Sequence, residues 1–462
     1  MISTTASLPR RRPRIVGFVA ATALIVAGSY GLAFVRPPAV RPAPTAPTTT
    51  VDAAPVALPG EAPVNGRGTS IGSLRQIDHS IEAWSKNLAA NPRDFLAATN
   101  LATLYHGRGR LSYDLTDLQR ALAAARTALG IEPTHAPARA LEAAILFTLH
   151  DFAAAFAAAD ELVRDDPSQL ASLATRFDAE LELGRIDDAR ADLDRLTATG
   201  GGPAVLIRAA RLASVTGDPA AALDKARTAR RSALADDVED IGFYDFAVGE
   251  YARLAGDPRA ARTAFQGALD ARAGDIAALV GLARIDAFDG GIDAAIAGLT
   301  RAADIAPQPE TLALLGDLQT RAGDPAASDA YDTVRFIERL GDIQTTTFDR
   351  QLVRFELDHG GATETVLARA RASLTVRPDG TGHDTVAWAL YRLGRFDEAA
   401  AEIAAARALG ADDARLRFHD GAIAVARGDR VTGLGLLRGA LDAGPALDPI
   451  ERAEVQRLLG RP

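Results

Sequence analysis

The strongest constraint on this chain is a glycine that keeps returning. Gly184, Gly217, Gly256, Gly290, Gly323, Gly360, Gly394 and Gly428 each close an apolar-periodic segment, at successive spacings of 33, 39, 34, 33, 37, 34 and 34 residues. His150 lies 34 residues before Gly184 and fits as a degenerate member. Gly109 lies 41 before His150, and residues 110–116 account for the excess of seven. A fixed period of this length means one supersecondary unit, repeated because a single copy cannot bury its apolar face alone. The glycine marks where two helices fold back on each other, since it adopts backbone angles closed to other residues.

Other positions keep the same register. Seven residues before the landmark stand Ala102, Ala143, Ala210, Gly249, Ala283, Gly316, Ala387 and Gly421, with Phe177 and Val353 as departures. Five residues after it come Ala155, Ala189, Ala222, Ala261, Ala295 and Ala399, with Ser328, Thr365 and Gly433 departing; Ala121 matches once the insertion is discounted. Pro133, Pro167, Pro307 and Pro445 then stop helices. At 462 residues with 5% aromatics, the chain exceeds a single core and suits thin helix pairs stacked in line.

This pattern resembles the tetratricopeptide repeat, with its turn glycine, small residues at the helix crossing, alanine on the second helix and terminal proline. The resemblance implies an all-α, right-handed αα superhelix of ten units over 95–447. A capping half-repeat in 67–94, with its helix at 74–90, and a C-terminal cap in 448–462 complete the expectation. The stretches Asp384-Thr385-Val386-Ala387-Trp388-Ala389-Leu390-Tyr391, Leu104-Tyr105-His106-Gly107-Arg108-Gly109-Arg110 and Phe418-His419-Asp420-Gly421 are similar to a group of exported bacterial tetratricopeptide proteins of unassigned function.

The N-terminus carries a different signal. Residues 15–35 are free of charge, and 21 residues make a helix of about 31 Å, the thickness of a hydrocarbon core. Arg10, Arg11, Arg12 and Arg14 precede this run, and only Arg36 and Arg41 follow closely. The positive-inside rule therefore predicts a single-pass signal-anchor helix with residues 1–14 in the cytoplasm and the repeats outside a bacterial cell membrane. A cleaved signal, leaving a secreted or periplasmic chain, is the alternative, with Gly31-Leu32-Ala33 as the site. Residues 36–66, rich in Pro, Ala and Thr, read as a semi-rigid linker.

Chemistry is sparse. There is no cysteine, and no H-E-x-x-H, G-x-S-x-G or G-x-x-x-x-G-K-[ST] pattern. No catalytic residue, cofactor, metal or small-molecule substrate is inferred. Six Arg against Asp52 and Glu61 make residues 1–66 basic, while 45 basic and 58 acidic residues give the remainder about −13, which disfavours nucleic acid. Asp379, His383 and Asp384 crowd one loop; they read as a polar turn and helix cap, or as the first suspects if the chain were an enzyme or enzyme subunit.

The tetratricopeptide resemblance further implies that first helices line a concave face, with the residue six before the turn glycine pointing into it. Those residues are Asp178, Arg211, Glu250, Arg284, Asp317, Arg354 and Trp388, alternating in sign until the tryptophan. The charges read either as a ladder that neutralises itself or as a partner surface. Arg354, Asp384, Trp388, Tyr391, Arg392 and Phe418 form the aromatic and charged patch expected to grip a protein or peptide. The expected function is thus a membrane-anchored, extracytoplasmic, non-catalytic binding scaffold.

Overall fold

The computed structural model describes residues 71–199, 202–233, 238–344 and 349–460. Among these residues the regular structure is entirely helical. The order is α1 (Ile71–Ala90), α2 (Phe95–Ser112), α3 (Leu115–Ile131), α4 (Ala136–Thr148), α5 (Phe152–Asp165), α6 (Leu170–Glu182), α7 (Ile186–Ala198) and α8 (Pro203–Val215). There follow α9 (Pro219–Ser232), α10 (Val238–Leu254), α11 (Pro258–Ala271), α12 (Ile276–Phe288), α13 (Ile292–Ile305), α14 (Pro309–Ala322) and α15 (Ala327–Gln344). The chain continues through α16 (Asp349–Phe355), α17 (Glu364–Val376), α18 (Gly380–Arg392), α19 (Phe396–Ala408), α20 (Ala414–Ala426), α21 (Arg430–Asp442) and α22 (Pro449–Leu459). Ten hairpins, from α2–α3 to α20–α21, stand between α1 and α22.

The hairpin turns explain the periodic glycine. Gly184, Gly217, Gly256, Gly290, Gly323, Gly394 and Gly428 hold φ between 67° and 92°, the left-handed region, and His150 takes it too at 64°. Where an aspartate follows the turn residue, it too has a cause. Asp151, Asp218, Asp257 and Asp429 each cap the second helix by accepting a backbone N–H, at 2.8–3.2 Å.

Two landmarks sit differently from the sequence reading. Gly109 lies inside α2, where its missing Cβ lets Leu118 approach, and the turn falls at Tyr113 with φ 60°. The extra residues lengthen α2 and α3. At the eighth hairpin the left-handed residue is Gly361, not Gly360, because a π-helical turn, Glu356–Gly360, absorbs one residue.

Crossings are tight where small residues stand. Ala102, Ala143, Ala210 and Ala387 are fully buried. A Cβ at Gly316 would lie 2.5 Å from the Tyr331 ring, and one at Gly249 would lie 2.6 Å from Phe265. First helices touch first helices along the array, as α2 to α4, α4 to α6, α10 to α12 and α18 to α20, so they form the inner layer.

The array also touches itself over long range. The turn at Gly184 packs on Pro378, the turn at Gly217 on Gly410 and Asp412, and the turn at Gly256 on Ala443. Hairpin turns after α6, α8 and α10 thereby meet the loops after α17, α19 and α21, each eleven helices further on. A constant offset of this kind means that successive superhelical turns stack edge to edge. Arg272, in the loop after α11, also donates to Tyr113, the turn residue after α2, at 3.3 Å, at a shorter offset of nine helices.

Among the described residues, no helix is long and apolar enough to cross a membrane. The segment 15–35 that carried the expectation lies outside the described residues, as do 1–14 and the linker 36–66. The transmembrane signal-anchor, the membrane as a partner and the cell-membrane localisation are accordingly withdrawn; the helix-pair solenoid stands.

Candidate partner-binding surface

The inner layer carries two charged networks and one aromatic layer. The first network joins two superhelical turns. Arg208 donates to Asp178 at 2.7 Å and Arg211 reaches the same carboxylate at 3.5 Å. Arg211 also bonds Glu182, which Arg377 contacts from the neighbouring turn. Arg377 and Arg350 then share Asp379, at 3.5 and 3.0 Å, and Arg377 covers the Phe152 ring at 4.9 Å. Burial raises the Asp178 carboxyl although two arginines oppose it, whereas at Asp379 Arg350 and Arg377 outweigh burial and lower it. Burial, with the field of Arg377 and Arg350, pushes His150 down to about 3, so it is neutral.

The second network gathers on the C-terminal segment. Arg253 (α10) pairs with Glu250 at 2.6 Å and donates to the carbonyls of Pro445 and Ala446 at 2.9 and 3.2 Å. Arg284 (α12) holds Glu310 at 2.6 Å and Asp448 at 2.9 Å. Arg415 (α20) contacts Glu451 and lies 3.6 Å from Asp448, while Arg354 (α16) reaches Glu451 at 3.5 Å. Burial would raise the Asp448 carboxyl, but Arg284 and Arg415, with Arg253 and Arg354 behind them, hold it below the usual carboxylate range. Asp448 and Glu451 are ordered beforehand, because together they form the capping box of α22.

The aromatic layer contains Trp388, stacked on His419 at 4.1 Å and on Tyr391 at 4.8 Å, with Phe418 at 5.1 Å. His419 Nδ1 donates to Asp384 at 2.7 Å. The structure thus brings five of the six patch residues near one another, but not as an open face. Trp388, Phe418 and Asp384 are buried, Tyr391 is half-buried and Arg392 is exposed. Arg354 belongs instead to the C-terminal network.

The ladder residues are likewise not a simple row. Asp178 and Arg211 touch; Glu250 pairs with Arg253, Arg284 with Glu310 and Asp448, and Asp317 accepts from Tyr331 at 2.8 Å and from His359 at 2.7 Å. Sequence reasoning missed Arg208, Glu182, Arg253, Arg350, Arg377, Arg415, Asp448 and Glu451. They occupy no common register relative to the turn glycine, so periodicity offers no signal for them.

The suspect loop separates into three errands. Asp379 caps α18 through the Gly382 N–H at 2.7 Å, His383 bonds Glu402 at 2.7 Å, and Asp384 serves His419. Among the described residues, no group of three His, Asp or Glu is placed to hold a metal ion.

No family model matches the chain, and no curated protein matches it. Among solved structures it is similar to a tetratricopeptide repeat protein from Parabacteroides merdae, at 17% identity and a TM-score of 0.32, over 55% of this chain and 98% of that one. It is also similar to the APC/C hetero-tetramer Cut9–Hcn1, at 14% identity and a TM-score of 0.30, over 84% of this chain and 94% of that one. In its repeat and in its paired helices alike, the chain resembles the tetratricopeptide proteins.

Proposed function

We propose that this chain is a non-catalytic scaffold that grips a segment of a partner protein or peptide with the inner layer of its superhelix. One observation carries the reading: Arg253, Arg284, Arg354 and Arg415, from four different first helices, converge on one short stretch, 445–451. An inner wall that holds a peptide-like segment of its own chain by side chains and backbone carbonyls has the chemistry to hold another. Arginines and aromatics on such a wall are the usual carriers of binding energy. In this reading Tyr391 and Arg392 meet the partner directly, Arg354 supplies charge, and Trp388, Asp384 and Phe418 fix the helices that present them. Asp178, Arg211, Glu250, Arg284 and Asp317 set the charge pattern along the wall.

A photo-crosslinking residue in place of Tyr391 tests this in the full chain, against the same residue in place of Val431, which is 88% exposed on a second helix. A discrete crosslinked protein is expected from Tyr391 and not from Val431. Equal labelling at both positions, or labelling at Val431 alone, overturns the inner-wall assignment.

A further inference from the structure

His359 stands at the joint between the seventh and eighth hairpins, where α14, α15 and α16 share a small apolar cluster of Leu312, Val334, Ile337, Leu352 and Phe355. It lies in the π-helical turn Glu356–Gly360, a form that is frequent at functional positions. Its ring stacks on Phe355 at 4.6 Å and lies 4.8 Å from the Tyr331 ring, which together fix its plane. Both of its nitrogens are committed. Nδ1 is 3.0 Å from the Phe355 carbonyl, and Nε2 is 2.7 Å from Oδ1 of Asp317 on α14.

These partners decide the protonation state. A backbone carbonyl can only accept, so Nδ1 carries hydrogen. Oδ1 of Asp317 already accepts the Tyr331 hydroxyl at 2.8 Å, so Nε2 must carry hydrogen as well. A neutral imidazole has one N–H and this site asks for two; the form that fits is imidazolium. Without the second proton a bare lone pair would face a carboxylate oxygen. Among the described residues no arginine or lysine pairs with Asp317, so its charge, on a side chain only 14% exposed, would also lose its counter-ion. His359 itself keeps 16% exposure, enough to exchange the proton with solvent.

The other charged groups of the joint do not take over this role. Tyr331 on α15 is pushed up to about 12, chiefly by burial, and stays a donor. Arg335 on α15 lies over the Phe355 ring at 5.7 Å and pairs with Asp332 at 3.0 Å. Glu364 on α17 is held by Arg395, and Asp384 on α18 by His419. Asp358, on the same π-helical turn, lies in the field of Arg354, Glu451 and His419 and adds negative charge beside the ring. Burial would lower His359, but the bond to Asp317 and its charge, the Phe355 carbonyl and Asp358 outweigh it and raise it above the ordinary 6.5.

We propose that His359 is a proton-operated staple: as imidazolium it ties the π-helical turn to α14, and on losing its proton it releases Asp317 and loosens the joint between the two hairpins. Arg354 lies on α16, directly before this turn, so the joint also sets where that arginine stands in the C-terminal network. Because the folded value is raised, the contribution of the staple is complete below pH 6.5 and is lost as pH rises through the folded midpoint.

The test uses the full chain with isotopically labelled histidine. The nitrogen shifts of each ring are followed by NMR across the neutral and mildly alkaline range, with His359 assigned through its bonds to the backbone. A midpoint above 6.5, with both nitrogens protonated below it, is expected. Asp317→Asn should lower that midpoint by at least about one unit, tenfold in proton affinity. Amide exchange is read in parallel as protection factors, which removes the pH dependence of the intrinsic rate. Protection at 355–360 should fall as pH rises through the midpoint in the parent and stay flat in His359→Gln. A midpoint at or below 6.5 overturns the staple, as does an unmoved midpoint in Asp317→Asn or flat protection in the parent. The parent's titration and exchange need no substitution, so they decide the matter even where a variant fails to fold.

Discussion

Gly281→Ala should destabilise the protein although helix propensity says the reverse. Phe265 is completely buried, and its ring is wedged between Gly249 and Gly281. A Cβ at 281 would lie 2.4 Å from Cζ and 2.5 Å from Cε1 of that ring. Carbon atoms ordinarily rest about 3.5–4.0 Å apart, so the overlap is about 1 Å against a rigid group with nowhere to turn. Replacing a glycine in a helix interior by alanine normally gains about 1 kcal/mol. Overpacking costs about 1–3 kcal/mol, and a clash of this depth belongs at the upper end. The net expectation is a loss of about 2 kcal/mol. In a Phe265→Leu background the ring is gone and the same substitution should be neutral or stabilising, a coupling of about 2–3 kcal/mol. Gly435→Ala and Gly439→Ala, where nothing lies within 4 Å of a new Cβ, serve as controls that gain up to about 1 kcal/mol. Urea unfolding followed by far-ultraviolet circular dichroism gives the free energies, with amide exchange in α11 and α12 reporting locally. A Gly281→Ala protein as stable as its parent or more so, with unchanged urea dependence, would refute the wedge.

Two further outcomes follow from the buried charges. Burial, reinforced by Asp192, raises Glu180 from 4.5 to about 8, so stability from this group is full below pH 4.5 and is lost as pH rises through 8; Glu180→Gln should flatten the fall in melting midpoint between those values, and parallel curves for variant and parent would refute the assignment. Arg377→Ala strips a cation from Glu182 and Asp379 and should cost about 3–5 kcal/mol, with amide protection lost on both the α6–α7 turn and the α17–α18 loop; unchanged protection at α6–α7 would show that the turns are not joined there.

Much of the hairpin array was legible because its causes are local. A left-handed turn selects glycine, a cap selects aspartate, and a close crossing selects alanine or glycine, all at a fixed offset. The reading slipped where a helix changed length or form without changing composition. Gly109 looks like a turn glycine, but serves close packing, and the π-helical turn before Gly361 leaves no mark that a spacing can show. The inner face was less legible for a different reason. What Arg284 or Arg377 touches depends on the pitch of the superhelix, which sums small rotations over many pairs and has no local signature. For the same reason sequence could not tell that Trp388 lies under His419 and Tyr391 instead of on an open wall. The charge-free run at 15–35 matches a bilayer in length, yet length alone places nothing, and no described helix takes that role.

The seams at Gly184–Pro378, Gly217–Asp412 and Gly256–Ala443 change what kind of object this solenoid is. A simple repeat array is a one-dimensional chain in which each unit answers only to its neighbours, so units can be added or removed and the stability changes by one increment. Here a unit also answers to another almost a full circuit away, as a brick answers to the course below it. Deleting one hairpin between α7 and α17 would shift every seam beyond it by one place and bring Gly184 against the wrong loop. The number of hairpins between two seamed turns is therefore tied to the pitch of the superhelix, and opening any single joint there also strains the seam that spans it.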